Sequence, residues 1–403
     1  MFVSNTHPHY RTPLQAIDVE TLGPAATDRV ERVLAQRENH VPTPLHSLPE
    51  MARSLGIATL HVKDEGFRLG LGSFKALGGA YAVIVLVLEQ AAKLLGRPVD
   101  VAELHTPAVR EVAAGLTFAC ATDGNHGRSV AQGAQLVGAR SVIFVHAGVS
   151  EERIAAIARF GAEMVRVAGN YDDSVEEAAR VATAKGWTIV SDTSWPGYER
   201  IPGLVMQGYT AMVREALAQM GEPPTHVFVQ AGVGGVAAAV AAHLAIVFGN
   251  KRPVFVVVDP ARAACLYESA KTNKPLKIAH GEPTVMAMLE CYEPSLSAWR
   301  VLSHVADGFM TVDEDDAVGV MRSLARPEGN DPAIVAGESG GVGLAGLLKV
   351  CRDNVLRDKL SLDAAARVWV INTEGATDPG QYEAIVGLSP AAVLAANAKQ
   401  KAV

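Results

Sequence analysis

The chain has 403 residues, enough for two domains or one large α/β unit. Hydrophobic residues make up 49% and charged residues 20%, with 37 glycines, which excludes a disordered tail protein and a coiled coil. Lys and Arg number 36 against 43 Asp and Glu, a formal net charge of −7 with no basic block, so nucleic acid is not the expected partner.

In chain order, apolar residues three and four apart predict a helix over 76–95. The segment Arg97 to Ala108 breaks the pattern and is expected to be a hinge or domain crossing. There follow a helix over 127–137, a strand over 141–147, helices over 150–160 and 173–185, and a strand over 187–192. Next come a helix over 204–220, a strand over 226–231, a helix over 236–248 and a strand over 254–259. Residues 272–296, rich in Pro, His and charge, form an irregular excursion expected to be a lid or interface loop. A helix over 340–353 and a strand over 367–372 complete the alternation, which predicts βαβ units and a mostly parallel sheet. Ligands in such sheets bind beyond the carboxyl ends of strands, where loops feed helix N-termini.

The four cysteines (Cys120, Cys265, Cys291, Cys351) contain no CxxC pair, so a metal site or disulfide scaffold is not expected. Residues 1–13 lack the pattern of a secretory signal, and the longest apolar runs, Ala80 to Leu88 and Val236 to Phe248, fall short of the roughly 20 residues of a membrane span. A soluble cytoplasmic protein without a membrane partner is expected.

Five junctions carry chemistry. In GLGSFKALGGAYAV (70–83), Lys75 follows Phe74 at the start of an apolar helix, where desolvation favours a Schiff-base or general-base lysine. The same lysine also fits a stem that snorkels to water. In ATDGNHGRSVAQGAQ (121–135), a turn of Thr122, Asp123, Gly124, Asn125, His126 and Gly127 opens a helix; its N–H groups suit a carboxylate and the Asn125 amide a phenolate, or the turn is an ordinary N-cap. In 226–245, a strand leads through Gly232, Val233, Gly234 and Gly235 into an Ala-rich helix, a phosphate cradle. Gly232, Gly234 and Ala237 with Asp259 also fit a dinucleotide fingerprint, so NAD remains a rival here. Asp192 closes a predicted strand and faces the ligand crevice as a second base or a turn cap. Finally AGESGGVG (336–343) and VINTEGATD (370–378) offer hydroxyls at Gly turns, either of which suits a heterocycle nitrogen.

The order SFK, GNH, GVGG, ESGG and NTEG resembles the fold-type II pyridoxal phosphate enzymes, and that order decides against an NAD oxidoreductase. The longer stretches GSFKALGGAYA, ATDGNHGRSVA, NYDDSVEEA, SDTSWPGYERIPGLVMQGYTAM, QAGVGGVAAAV and INTEGATD resemble the diaminopropionate ammonia-lyase family over about residues 40–380. The resemblance implies a two-domain α/β enzyme with twisted, mostly parallel sheets and the cofactor in the interdomain cleft. Residues 1–80 and 205–403 would form the large domain and 81–204 a small mobile one. It further implies a homodimer that eliminates ammonia from 2,3-diaminopropionate, in many members from both enantiomers, to give pyruvate.

By the same likeness Lys75 bonds the cofactor aldehyde and serves as base on one face. Asp123 removes the α-proton from the other face, and Asp192 holds the β-amino group. Asn125 meets the phenolate, Gly232 to Gly235 the phosphate, and Ser339 or Thr373 the pyridine nitrogen. Phe74 would pack on the cofactor, while Thr122, Gly124, His126, Met288 and Tyr292 would line the substrate. The chain departs from the family at MAMLECYEP (286–294), where Met288, Glu290 and Tyr292 stand in place of small residues. If that loop lines the pocket, the substrate is a different 3-amino or 3-hydroxy amino acid; otherwise Glu290 and Tyr292 point to solvent. Dehydration, β-replacement and a non-catalytic binding protein on the same fold are the competing readings. Cys265 and Cys291 flank the loop, and a disulfide tethering it is one expectation.

Overall fold

The computed structural model describes residues 1–122, 124–169 and 171–400. Its strands are β1 (Phe2–Ser4), β2 (Leu45–Ser47), β3 (Thr59–Asp64), β4 (Thr117–Ala121), β5 (Arg140–His146), β6 (Glu163–Val167), β7 (Thr188–Ile189), β8 (His226–Gln230), β9 (Val254–Pro260), β10 (Gly308–Val312) and β11 (Arg367–Asn372). Two compact units result: Met1–Gly23 with Pro42–Phe74 and Met212–Val403, and Pro24–Val41 with Lys75–Ala211. The segment Arg97 to Ala108 lies wholly inside the smaller unit, so it is not a crossing between units. A capping box of Asp100 and Glu103 and a helix starting at Pro107 account for its break in apolar pattern.

The larger unit is built on a seven-stranded sheet in the order β1-β10-β9-β8-β11-β3-β2. Only the edge strands β1 and β2 run antiparallel to their neighbours. The central strands carry near-continuous Val and Ile because helices cover both faces of a parallel sheet. Val256, Val258, Val368 and Val370 join Leu344 and Leu347 of the helix Val342–Cys351 in one core. Below β3, Arg68 is fully buried and donates to Glu65 at 2.7 and 2.8 Å and to Glu215 at 2.6 and 2.8 Å. Lys63 reaches Glu215 at 3.0 Å in the same network. Two buried cations meeting two carboxylates leave no charge unpaired, and the network fixes the turn Glu65–Gly70 that leads to Ser73.

The smaller unit has an all-parallel sheet in the order β6-β5-β4-β7. Its helix Gly78–Leu95 belongs to an apolar stretch, Phe74–Leu95, that is long enough to cross a bilayer by length and composition. Gly78 to Ile84, Val87 and Ala91 are instead buried, as in the core helix of a globular fold. It lies close to the helix Asn125–Val137: a Cβ at Gly133 would sit 2.6 Å from the Ala80 Cα, so only glycine permits the approach. Ser129 Oγ accepts the Ala80 N–H at 2.9 Å across the same crossing.

Candidate active site

In the smaller unit the chain enters as a 3-10 turn, Phe74–Leu77, and Lys75 Nζ donates a hydrogen bond to Asp192 Oδ2. The two side chains are 21% and 17% exposed. Burial by itself would raise the Asp192 pKa, but the charge and hydrogen bond of Lys75 hold the carboxyl well below the usual carboxylate range. Asp192 therefore remains an anion throughout the neutral range. The predicted strand over 187–192 pairs at Thr188–Ile189, and the Val190 N–H still donates to the Ala119 carbonyl at 2.8 Å; past Val190 the backbone leaves the ladder, and Asp192 faces Lys75.

His126 supports that turn. Its Nε2–H donates to the Val190 carbonyl at 2.8 Å, which assigns the tautomer, and its Nδ1 is buried without a hydrogen-bond partner among the described residues. Burial lowers its pKa, so the ring is neutral and Nδ1 is an acceptor. Thr122 Oγ1 accepts the N–H groups of Gly124 and Gly127 at 3.0 and 3.1 Å, shaping the helix start rather than presenting lone pairs to a ligand. A Cβ at Gly127 would come within 2.3 Å of Thr122 Cγ2. Asn125 is 8% exposed as the first residue of the helix Asn125–Val137. Asp123 lies outside the described residues. Buried Tyr209, against which Gly78 packs, lies within the field of both Lys75 and Asp192; it falls in the stretch SDTSWPGYERIPGLVMQGYTAM but is not among the site residues expected from the sequence.

In the larger unit β8 runs into Gly232, Val233 and Gly234 and then the helix Gly235–Phe248. Gly234 has φ +101°, a conformation that favours glycine, and a Cβ at Gly232 would sit 2.8 Å from Cys291 Sγ. The first-turn N–H groups of a helix have no intrahelical acceptor, and no side chain caps this one, so the cradle suits a phosphate. Ser339 Oγ accepts the Met288 N–H at 3.1 Å, which leaves its own proton to donate. Thr373 Oγ1 instead accepts from Gln230 Nε2 at 2.8 Å and lies 3.5 Å from the Ser339 carbonyl. Between the two hydroxyls, Ser339 is therefore the better donor to a ring nitrogen. Phe74, 9% exposed, donates its N–H to the Thr373 carbonyl at 3.0 Å. The neighbouring Ser73 Oγ is buried without a hydrogen-bond partner among the described residues. The amide cradle and the available Ser339 hydroxyl of the larger unit suit the phosphate and ring nitrogen of pyridoxal phosphate, and the smaller unit by itself carries an amine nucleophile, Lys75, of the kind its aldehyde would take.

Three expectations change. Cys265 and Cys291 both lie against the Gly232 turn as thiols, not joined in a disulfide. Glu290 and Tyr292 do not simply face solvent: Tyr292 donates to Glu290 at 2.8 Å, Glu290 accepts the Thr284 N–H at 3.2 Å, and Tyr292 lies against His280 with ring centroids 4.0 Å apart. The excursion 272–296 is thus braced by its own side chains around a single 3-10 turn, Ala287–Leu289. Asp259 is 1% exposed and accepts the Tyr267 N–H at 2.8 Å, so it closes its own helix start rather than waiting for a ribose.

A family model described as pyridoxal-phosphate dependent enzyme matches residues 37–374. A diaminopropionate ammonia-lyase of Escherichia coli is 40% identical over 352 residues, covering 86% of this chain and 87% of that protein. The chain belongs to the diaminopropionate ammonia-lyase family of pyridoxal-phosphate dependent enzymes. Among solved structures, the Escherichia coli lyase in complex with an aminoacrylate-PLP azomethine reaction intermediate superimposes with a TM-score of 0.85 at 36% identity, covering 96% of each chain. The same lyase in complex with D-serine gives 0.84 at 35% identity, again over 96% of each chain. These family members have the fold-type II architecture, which settles the choice between the two cofactors the glycine turn alone left open.

Proposed function

We propose that the protein is a pyridoxal phosphate-dependent carbon–nitrogen lyase that converts 2,3-diaminopropionate to pyruvate and ammonia. The observation that carries the proposal is the half-buried Lys75 amine in contact with an Asp192 carboxylate held ionised beside it. When bound, pyridoxal phosphate supplies an aldehyde that captures an amine and a ring that withdraws the electron pair left at Cα. Gly232 to Gly235 hold the phosphate, Asn125 the phenolate and Ser339 the pyridine nitrogen. Lys75 Nζ carries a proton on one face of Cα, and Asp123 takes one on the other, so each enantiomer presents its α-proton to a base. Asp192 binds the β-amino group as an ammonium and keeps it protonated, so that it departs as neutral ammonia. Neutral His126 orients the Asp192 turn and offers Nδ1 to a donor on the substrate.

A second reading keeps the cofactor and changes the leaving group to hydroxyl. It is favoured by the filled loop at Met288, Glu290 and Tyr292, and by the crystallisation of a relative with D-serine. The proposed enzyme is a cytoplasmic homodimer; light scattering would return twice the 42.4 kDa of one chain. The test is the visible spectrum and pyruvate output of the purified holoenzyme with each enantiomer of 2,3-diaminopropionate and of serine. Turnover of diaminopropionate supports the first reading. Turnover of serine alone replaces it with the second, and a spectrum indifferent to both refutes the substrate class.

A further inference from the structure

The turn that carries Asp192 is gripped from two directions. His126 takes the Val190 carbonyl. From the other direction Tyr198 donates its O–H to the Ile189 carbonyl at 2.8 Å and accepts the Ser191 N–H at 3.1 Å. One phenol oxygen thus joins the last residue of β7 to the residue before Asp192, bracketing Val190, whose N–H makes the last bond to the sheet, to the Ala119 carbonyl at 2.8 Å. The ring is itself held. Trp195 stacks on it with centroids 4.1 Å apart and planes 12° from parallel, and the Tyr198 N–H donates to the Trp195 carbonyl at 2.9 Å. Trp195 remains 38% exposed, so it covers the phenol without being part of the core. Burial pushes the Tyr198 pKa up, which keeps the hydroxyl protonated and able to donate at any working pH.

We propose that Tyr198 is a positioning residue for the reaction: its hydroxyl fixes the 189–192 turn so that the Asp192 carboxylate meets Lys75 and, in turnover, the substrate's leaving amine. The proposal rests on the reading of Asp192 given above. It explains why the aromatic, proline-broken loop of the SDTSWPGYERIPGLVMQGYTAM stretch follows directly on Asp192. A carboxylate displaced by even an ångström loses contact with a leaving group, and such misplacement costs rate more than binding.

The test compares wild-type, Tyr198→Phe, Trp195→Ala and Asp192→Asn holoenzymes by steady-state kinetics, thermal melting and peptide-level amide hydrogen exchange. Tyr198→Phe is expected to lower kcat about tenfold with KM within about twofold. Exchange should accelerate in the peptide covering 189–193, with the melting temperature nearly unchanged. Trp195→Ala should show the same pattern in weaker form, and carries the test if Tyr198→Phe does not fold. Faster exchange at 189–193 with unchanged kcat would overturn the proposal, as would unchanged exchange there or a loss spread over the whole smaller unit. If Asp192→Asn keeps full turnover, the assignment of Asp192 itself falls and the positioning role with it. A defect in Asp192→Asn beside normal turnover in Tyr198→Phe removes the positioning role alone.

Discussion

Gln230 closes β8 fully buried, and its amide is shared among groups far apart in the chain. Nε2 reaches the Ile371 carbonyl at 3.0 Å, Thr373 Oγ1 at 2.8 Å and the Ser339 carbonyl at 3.3 Å, and it also contacts the Gly340 carbonyl. Oε1 accepts the Gly343 N–H at 3.2 Å. An amide nitrogen has two hydrogens, so about two of those four acceptors are served at once, and with Gly343 about three bonds depend on this side chain. Gln230→Ala strands their partners in the interior at ~1–2 kcal/mol each, or roughly 3–6 kcal/mol in all. That is a large part of the ~5–15 kcal/mol that holds a typical domain. The melting temperature should fall by on the order of 10 °C. The apoenzyme should be assayed by calorimetry, so that cofactor binding does not mask the change, and retention of cofactor after dialysis should be followed separately. Because Ser339 and Thr373 are anchored here, the variant should also release its cofactor more readily. A shift of under about 2 °C, equivalent to less than about 1 kcal/mol, would refute the view that Gln230 is the hub of this region.

Lys75→Ala should abolish turnover and remove the borohydride-sensitive chromophore, checked by spectroscopy and pyruvate assay; residual turnover near wild type would exclude Lys75 as the essential amine. Asp123→Asn should impair one enantiomer of 2,3-diaminopropionate far more than the other, and equal losses would defeat the assignment of two bases to opposite faces. Asp259 is pushed up to about 8 by burial, so the folded state holds its proton more tightly than the unfolded chain. Its contribution to stability is therefore full below the ordinary aspartate range near 4 and declines as pH rises from about 4 through about 8. Melting curves of Asp259→Asn against wild type between pH 6 and 9 should show a flatter alkaline decline in the variant; parallel curves would contradict it.

The candidate site residues stand out in the sequence because most sit in short glycine-marked junctions between elements. β5, β8, β9 and β11 were legible too, since buried parallel strands read as unbroken β-branched runs. β3 and β4 were not: TLHVKD carries His61, Lys63 and Asp64, the last two buried only because distant groups pair with them, and TFACA is short and small-residue rich. The strand ending at Asp192 was overextended because alternation in WTIVSD cannot reveal a phenol that bends its last residues away from the sheet. The loop at Met288 to Tyr292 was recognised as unusual, but its internal bonding depends on His280 and Thr284, which no local pattern links to Glu290.

The groups that perform chemistry and the groups that place them obey different sequence rules. A lysine or carboxylate beside glycines announces itself, since its reactivity follows from local desolvation and charge. Gln230, His126 and Tyr198 are ordinary side chains whose importance comes from satisfying backbone carbonyls and N–H groups that irregular turns leave open. An active site needs such turns, because regular strands and helices consume their own backbone groups and cannot leave amides facing a phosphate or aim a carboxylate at an amine. The turn at Asp192 requires two holders, His126 and Tyr198, for one ionised acid. Either holder removed would leave the acid present and charged but free to move, so the loss would be read in the rate before it was read in the fold.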